Sequence, residues 1–164
     1  MTFFPTINSA RLWQSLEEIG KIGAYHDVAT DLIGVKRLTL TQEDQIAREQ
    51  VIAWLQQEGL TVTVDQIGNF YARREGVENE LAPVMIGSHL DSVPTAGRFD
   101  GALGVLGGLE IIRTLNENNV KTKRSLVIGN FTNEEGVRFT TDMLGSAVAN
   151  DRIALDYALG LEDN

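Results

Sequence analysis

No cysteine occurs anywhere in the 164 residues. Disulfides and thiolate metal sites are thereby excluded, and any metal must be held by His, Asp or Glu, a donor set that suits zinc, manganese or similar ions. Histidine is scarce as well: the chain has two, His26 and His89. No run of about 18 apolar residues is present, so no transmembrane helix is expected. The start, Met1 to Pro5, lacks a basic stretch leading into an apolar one and a small-residue cleavage site, so no secretory signal is expected. The absence of cysteine is compatible with a cytoplasmic protein, the location expected here. Basic residues are outnumbered, with 14 Lys and Arg against 23 Asp and Glu, a net charge of −9. That balance argues against nucleic-acid binding, which calls for a basic patch. Most of the acidic residues are expected to be solvated surface charge.

What is present suits one globular unit with a real core: 43% of the residues are hydrophobic. Leu12, Leu16 and Ile19 fall at helical spacing and predict a helix over 8–23, with Asn8 or Ser9 as N-cap. Residues 24–40 show mixed short apolar positions and read as a loop. Thr41 to Gly59 reads as a second helix, with Thr41 and Asp44 in a near relative of the capping box and Ile46, Val51, Ile52 and Leu55 as its apolar face. Thr61–Val64 and Phe70–Arg73, separated by a turn at Gly68-Asn69, predict a hairpin. Pro83–Ile86 and Ser125–Phe131 read as buried strands, with a glycine-started helix over 101–118 between them. The strand–helix–strand order predicts a parallel pair and an α/β fold, with helices on a mixed sheet. A weak helical pattern follows Thr140.

Open α/β sheets place their sites beyond the carboxyl ends of the strands. Both predicted parallel strands run into polar clusters there: Gly87-Ser-His-Leu-Asp91 and Thr132-Asn-Glu-Glu-Gly136. In an extended segment His89 and Asp91 point to the same side, so Asp91 can accept a hydrogen bond from one ring nitrogen and leave the other for a metal. A loop histidine satisfied by a nearby acid would look the same. Asp100, in Gly97-Arg-Phe-Asp-Gly101, precedes a helix, where an N-cap is the common use of Asp; a carboxylate there can also bridge two cations. Glycines 101, 104, 107 and 108 would let the backbone pack closely against the sheet or site. Glu134 and Glu135 are either two exposed acids or neighbouring carboxylates whose repulsion a cation relieves, one as a ligand and one as a base.

Taken together, three segments resemble a known family: Gly87-Ser-His-Leu-Asp-Ser-Val93, Gly97-Arg-Phe-Asp-Gly-Ala-Leu-Gly-Val105 and Thr132-Asn-Glu-Glu-Gly-Val-Arg-Phe139. They resemble the metal-dependent aminoacylase and carboxypeptidase superfamily, and within it the hydantoinase/carbamoylase branch of N-carbamoyl-L-amino-acid hydrolases, allantoate amidohydrolases and β-ureidopropionases. Ile67–Phe70, Leu109–Asn116, Met143–Ser146 and the first helix agree, so the resemblance runs from about Asn8 to the end.

The resemblance implies a zinc-exopeptidase-like catalytic domain with a mixed, mostly parallel sheet flanked by helices. It implies two divalent ions, zinc or manganese, with cobalt or nickel as further options. His89 would ligate one metal with Asp91 orienting its ring, Asp100 would bridge both, Glu135 would ligate the second, and Glu134 would be the general base. The implied reaction is hydrolysis of a linear amide or ureido C–N bond by a metal-activated water, on a small N-carbamoyl or ureido substrate, in a homodimeric whole protein. Dipeptidases and aminoacylases of the same superfamily are the alternative, as is a non-catalytic binding or dimerising role. Family members are more than twice as long, with two further histidine ligands and a lid or dimerisation domain after the segment matched here. Residues 1–164 are therefore expected to be an N-terminal catalytic portion that is inactive and poorly soluble alone. His26 matches no family ligand position.

Overall fold

The computed structural model describes residues 5–163, so the reading of residues 1–4 lies outside it. Helix α1 (Ser9–Ile19) starts where its cap predicts: the Asn8 side-chain oxygen accepts from the Arg11 N–H at 3.1 Å, satisfying a donor that the first helical turn leaves orphaned. Leu16 and Ile19 are buried and Leu12 packs beside them.

Residues 24–40 are not a plain loop. They contain a hairpin of β1 (Ala24–Asp27) and β2 (Leu32–Val35), paired antiparallel, whose turn is fixed by Asp27 accepting from the Ala29 N–H and the Thr30 hydroxyl. The β1 side chains are exposed or half-buried and only the end of β2 is buried. So short a hairpin leaves little of the apolar alternation by which strands are recognised.

Helix α2 (Gln42–Gln57) is capped by Thr41, which accepts from the Asp44 N–H, while Asp44 reaches back to the Leu40 N–H rather than to Thr41. Its buried stripe is Asp44, Ala47, Val51 and Leu55. Ile46, expected on that face, is exposed, because it sits about 100° around the helix from Ala47.

The main sheet has the order β3-β4-β6-β5, with β3 (Thr61–Val64), β4 (Phe70–Arg74), β5 (Val84–Ser88) and β6 (Leu126–Asn130). The predicted β3–β4 hairpin forms, and the five-residue connection 65–69 makes it antiparallel. β4 pairs β6 antiparallel and β5 pairs β6 parallel, so the sheet is mixed and its parallel part is confined to the site edge. Helix α3 (Ala102–Glu117) is the crossover between the parallel strands. One core joins α1, α2 and α3 to one face of the sheet, through Leu16, Ile19, Val51, Leu55, Phe70 and Ile128 among others. β6 is buried throughout, as expected. β5 is not: it is an edge strand, with Val84 49% and Met85 48% exposed, because it has a strand neighbour on one side only. Short helices α4 (Leu144–Ala149) and α5 (Leu155–Leu159) complete the described chain. Among the described residues no helix is long and apolar enough to cross a membrane.

Candidate metal centre

Because β5 and β6 run parallel with Ser88 opposite Asn130, the segments that follow them leave the sheet at the same edge. His89 comes immediately after β5. Glu134 and Glu135 come four and five residues after β6. The two loops are tied by Asp91, whose carboxylate accepts from the Glu134 N–H at 3.4 Å and the Glu135 N–H at 3.3 Å. Asn133 closes the second loop: its N–H donates to Thr39 Oγ1, and its side-chain amide donates to the Phe139 and Thr141 carbonyls.

His89 is 5% exposed, and its Nδ1 lies 2.9 Å from the main-chain carbonyl of Asp91. A carbonyl can only accept, so Nδ1 carries the hydrogen and the neutral ring keeps its lone pair on Nε2. The expected bond from the ring to the Asp91 carboxylate is not made; that oxygen is 3.8 Å from Nδ1. The carboxylate is occupied instead by the two Glu peptides, and the main chain of the same residue holds the ring. Nε2 faces Glu134 Oε2 at 3.5 Å and Asp100 Oδ1 at 4.0 Å. Asp100 makes no cap on α3, and its side chain is 71% exposed. Gly101 follows it at φ 61°, and a Cβ there would meet His89 Cδ2 and Cε1 at 2.6 Å, so the glycine is required by its approach to the imidazole. Gly107, grouped with it by sequence, meets nothing within 4 Å.

The acids are under electrostatic load. Burial pushes the Asp91 carboxyl up to about 6, against attraction to His89 and the Glu135 N–H. Burial also raises Glu135, helped by Asp100 and Glu134 and opposed chiefly by His89. One Glu135 oxygen, Oε1, is buried with no hydrogen-bond partner. A cation relieves each of these penalties.

Ligand atoms about 2.1 Å from one zinc ion lie roughly 3–4 Å from one another, and Asp100 Oδ1 stands 4.0 Å from His89 Nε2, at the upper end of that range. In kind and spacing, then, the donors fit a divalent ion. In number they fall short: among the described residues no group of three or more His, Asp or Glu is arranged to hold a metal. His26 does not join them; it is exposed on β1 and pairs with Asp31 at 2.8 Å.

Sequence reasoning missed the buried and half-buried residues that brace this edge. Arg37, 2% exposed, donates to the Leu90 carbonyl. Arg48 donates to Thr132 Oγ1 and the Gly68 carbonyl. Asn69 accepts from the Thr132 N–H and donates to the Gly145 carbonyl. Each partner is at least 20 residues away in sequence, so no local pattern announces the contact.

The sequence profile of peptidase family M28 matches residues 69–154. An N-carbamoyl-L-amino-acid amidohydrolase of Rhizobium meliloti is 45% identical over 157 residues, 96% of this chain and 36% of that protein. A ureidoglycolate hydrolase of Arabidopsis thaliana is 39% identical over 129 residues, 79% of this chain and 27% of that one. The solved structure of a hydantoinase/carbamoylase family amidase from Burkholderia ambifaria superposes with a TM-score of 0.93 at 47% identity, covering 98% of this chain and 38% of its own. The chain thus spans 27–38% of the length of these relatives. It belongs to peptidase family M28, and it shares its fold and nearly half of its residues with hydantoinase/carbamoylase amidases.

Proposed function

We propose that this strand-end cluster is one part of a two-metal amidohydrolase site. The observation that carries the reading is the approach of two acceptors, the His89 Nε2 lone pair and Glu134 Oε2, to 3.5 Å, in a cluster where Glu135 Oε1 is buried without a partner. His89, Asp100 and Glu135 would hold the ions, with Asp100 between them. Divalent ions, zinc or manganese in this reading, polarise a carbonyl and lower the pKa of water. Asp91 positions the histidine through its main chain and the Glu pair through its carboxylate. Glu134, one-third exposed, is open to substrate and takes the proton from the attacking water, then returns it to the leaving nitrogen. Shared in this way, the three residues would give each ion two protein ligands, one fewer than catalytic zinc usually has. Further donors must complete the site.

The names of the relatives support an N-carbamoyl amino acid or another ureido compound as substrate, with hydrolysis of a linear C–N bond. Cleavage of a carbamoyl group gives the amino acid, ammonia and carbon dioxide. A cytoplasmic, homodimeric whole protein completes the proposal.

The test is a chimera in which the matching segment of the Rhizobium meliloti relative is replaced by residues 5–163 of this chain. We expect it to hydrolyse N-carbamoyl-L-amino acids, and Glu134→Gln to lower kcat at least about 100-fold without loss of bound metal. A folded, metal-loaded chimera that cleaves only dipeptides would overturn the substrate class.

A further inference from the structure

Arg37 has no place in the chemistry above, yet it is among the most buried charged residues of the described chain. A buried guanidinium is costly unless its donors are met. Here main-chain oxygens meet three of its five: Nε donates to the Leu90 carbonyl at 2.7 Å, and Nη1 donates to the Ile19 and Ile22 carbonyls at 3.0 Å each. The peptide of the same residue grips Ser92. The Arg37 N–H donates to Ser92 Oγ at 2.8 Å, and the Ser92 N–H donates to the Arg37 carbonyl at 2.8 Å. Residues 90 and 92 flank Asp91, whose carbonyl holds the His89 ring. One arginine therefore fixes both sides of the peptide that sets the imidazole and anchors it to the C-terminal end of α1 and the turn after it, where the helix dipole favours a cation.

We propose that Arg37 is the positioning residue for His89: by clamping the main chain of Leu90 and Ser92 it keeps the Asp91 carbonyl against Nδ1, so that Nε2 presents its lone pair toward Glu134 and Asp100. Only the purpose of this presentation, metal binding, rests on the function proposed above. The role is geometric rather than one of charge alone. A lysine keeps the charge but cannot reach the Leu90, Ile19 and Ile22 carbonyls with two separate nitrogens.

The chain has two histidines, so the exposed His26→Gln change leaves His89 as the single imidazole. In that background, long-range nitrogen–proton NMR of metal-free protein at about pH 8 reads the tautomer directly. We expect one Nδ1–H tautomer in the parent. A Leu55→Ala control, destabilised in the core away from the site, should keep it. Arg37→Lys and Arg37→Met should give a tautomer mixture, and Ser92→Ala a smaller admixture. Should Arg37→Met fail to fold, Arg37→Lys and Ser92→Ala decide the matter. A folded Arg37→Lys protein with the parent's single tautomer would overturn the proposal, as would a parent that shows no tautomer preference. Cobalt titration separates the two readings. Weakening by about tenfold or more in Arg37→Lys supports both. A tautomer controlled by Arg37 in a parent that binds no cobalt keeps the positioning role and removes the metal.

Discussion

β5 and β6 lie side by side in the same register and carry the two halves of the candidate site, yet their surroundings differ. All five residues of β6 are buried between β4 and β5, whereas β5 is paired on one side and leaves Val84 and Met85 about half exposed. Parallel strands are ordinarily covered on both faces. The difference shows that the cluster sits on a boundary. The Glu134–Glu135 loop leaves an enclosed strand and is closed by Asn133, while the His89 loop leaves an edge strand and depends on Arg37 and Asp91 for its shape.

The largest expected contrast comes from truncating one side chain on each strand, Ile128 on the face packed by α3 and Met85 on the opposite face. Ile128→Ala on β6 removes a side chain that is 0% exposed and should cost about 2–5 kcal/mol in urea unfolding. Met85→Ala on β5 should cost no more than about 0.5 kcal/mol. Equal costs would mean that β5 is covered in solution.

Next in size is the pH response of the His89 loop. The Asp91 carboxyl, ordinarily at 3.8, stands at about 6 in the folded chain, chiefly through burial. Between these values the folded state binds more protons than the unfolded one, so stability is full below about pH 4 and falls as pH rises through about 6. With no divalent ion added, the loss should be on the order of 2 kcal/mol, and Asp91→Asn should flatten it. Stability that instead rises over this window in wild-type protein but not in the variant would reverse the assignment. The smallest effect concerns the free edge itself. Met85→Lys should leave unfolding within about 0.5 kcal/mol of wild type while reducing self-association in light scattering, since a charge on an edge strand opposes pairing with other chains.

Legibility in the sequence followed the range of the forces involved. The caps at Asn8 and Thr41, the β3–β4 hairpin and the apolar run of β6 are written in neighbouring residues and were read correctly. The β1–β2 hairpin was not, because its mostly exposed strands leave little apolar alternation. The exposure of β5 could not be read either, since Pro83-Val-Met-Ile looks the same with or without a neighbouring strand. At the site, the residue types and their convergence were legible from two strand ends and a shared edge. The use of the Asp91 carbonyl rather than its carboxylate was not, because spacing places a residue without saying which of its groups bonds. Arg37 lay in what read as loop, and its partners at Ile19 and Leu90 are 18 and 53 residues away.

The most direct test of the central claim, that this edge binds divalent metal through His89, is zinc calorimetry of the chain alone and of its His89→Ala variant. We expect weak, saturable binding that His89→Ala abolishes, since the proposed assignment would give each ion only two protein ligands. Binding indifferent to His89→Ala, or tight binding of two ions by the chain alone, would contradict it.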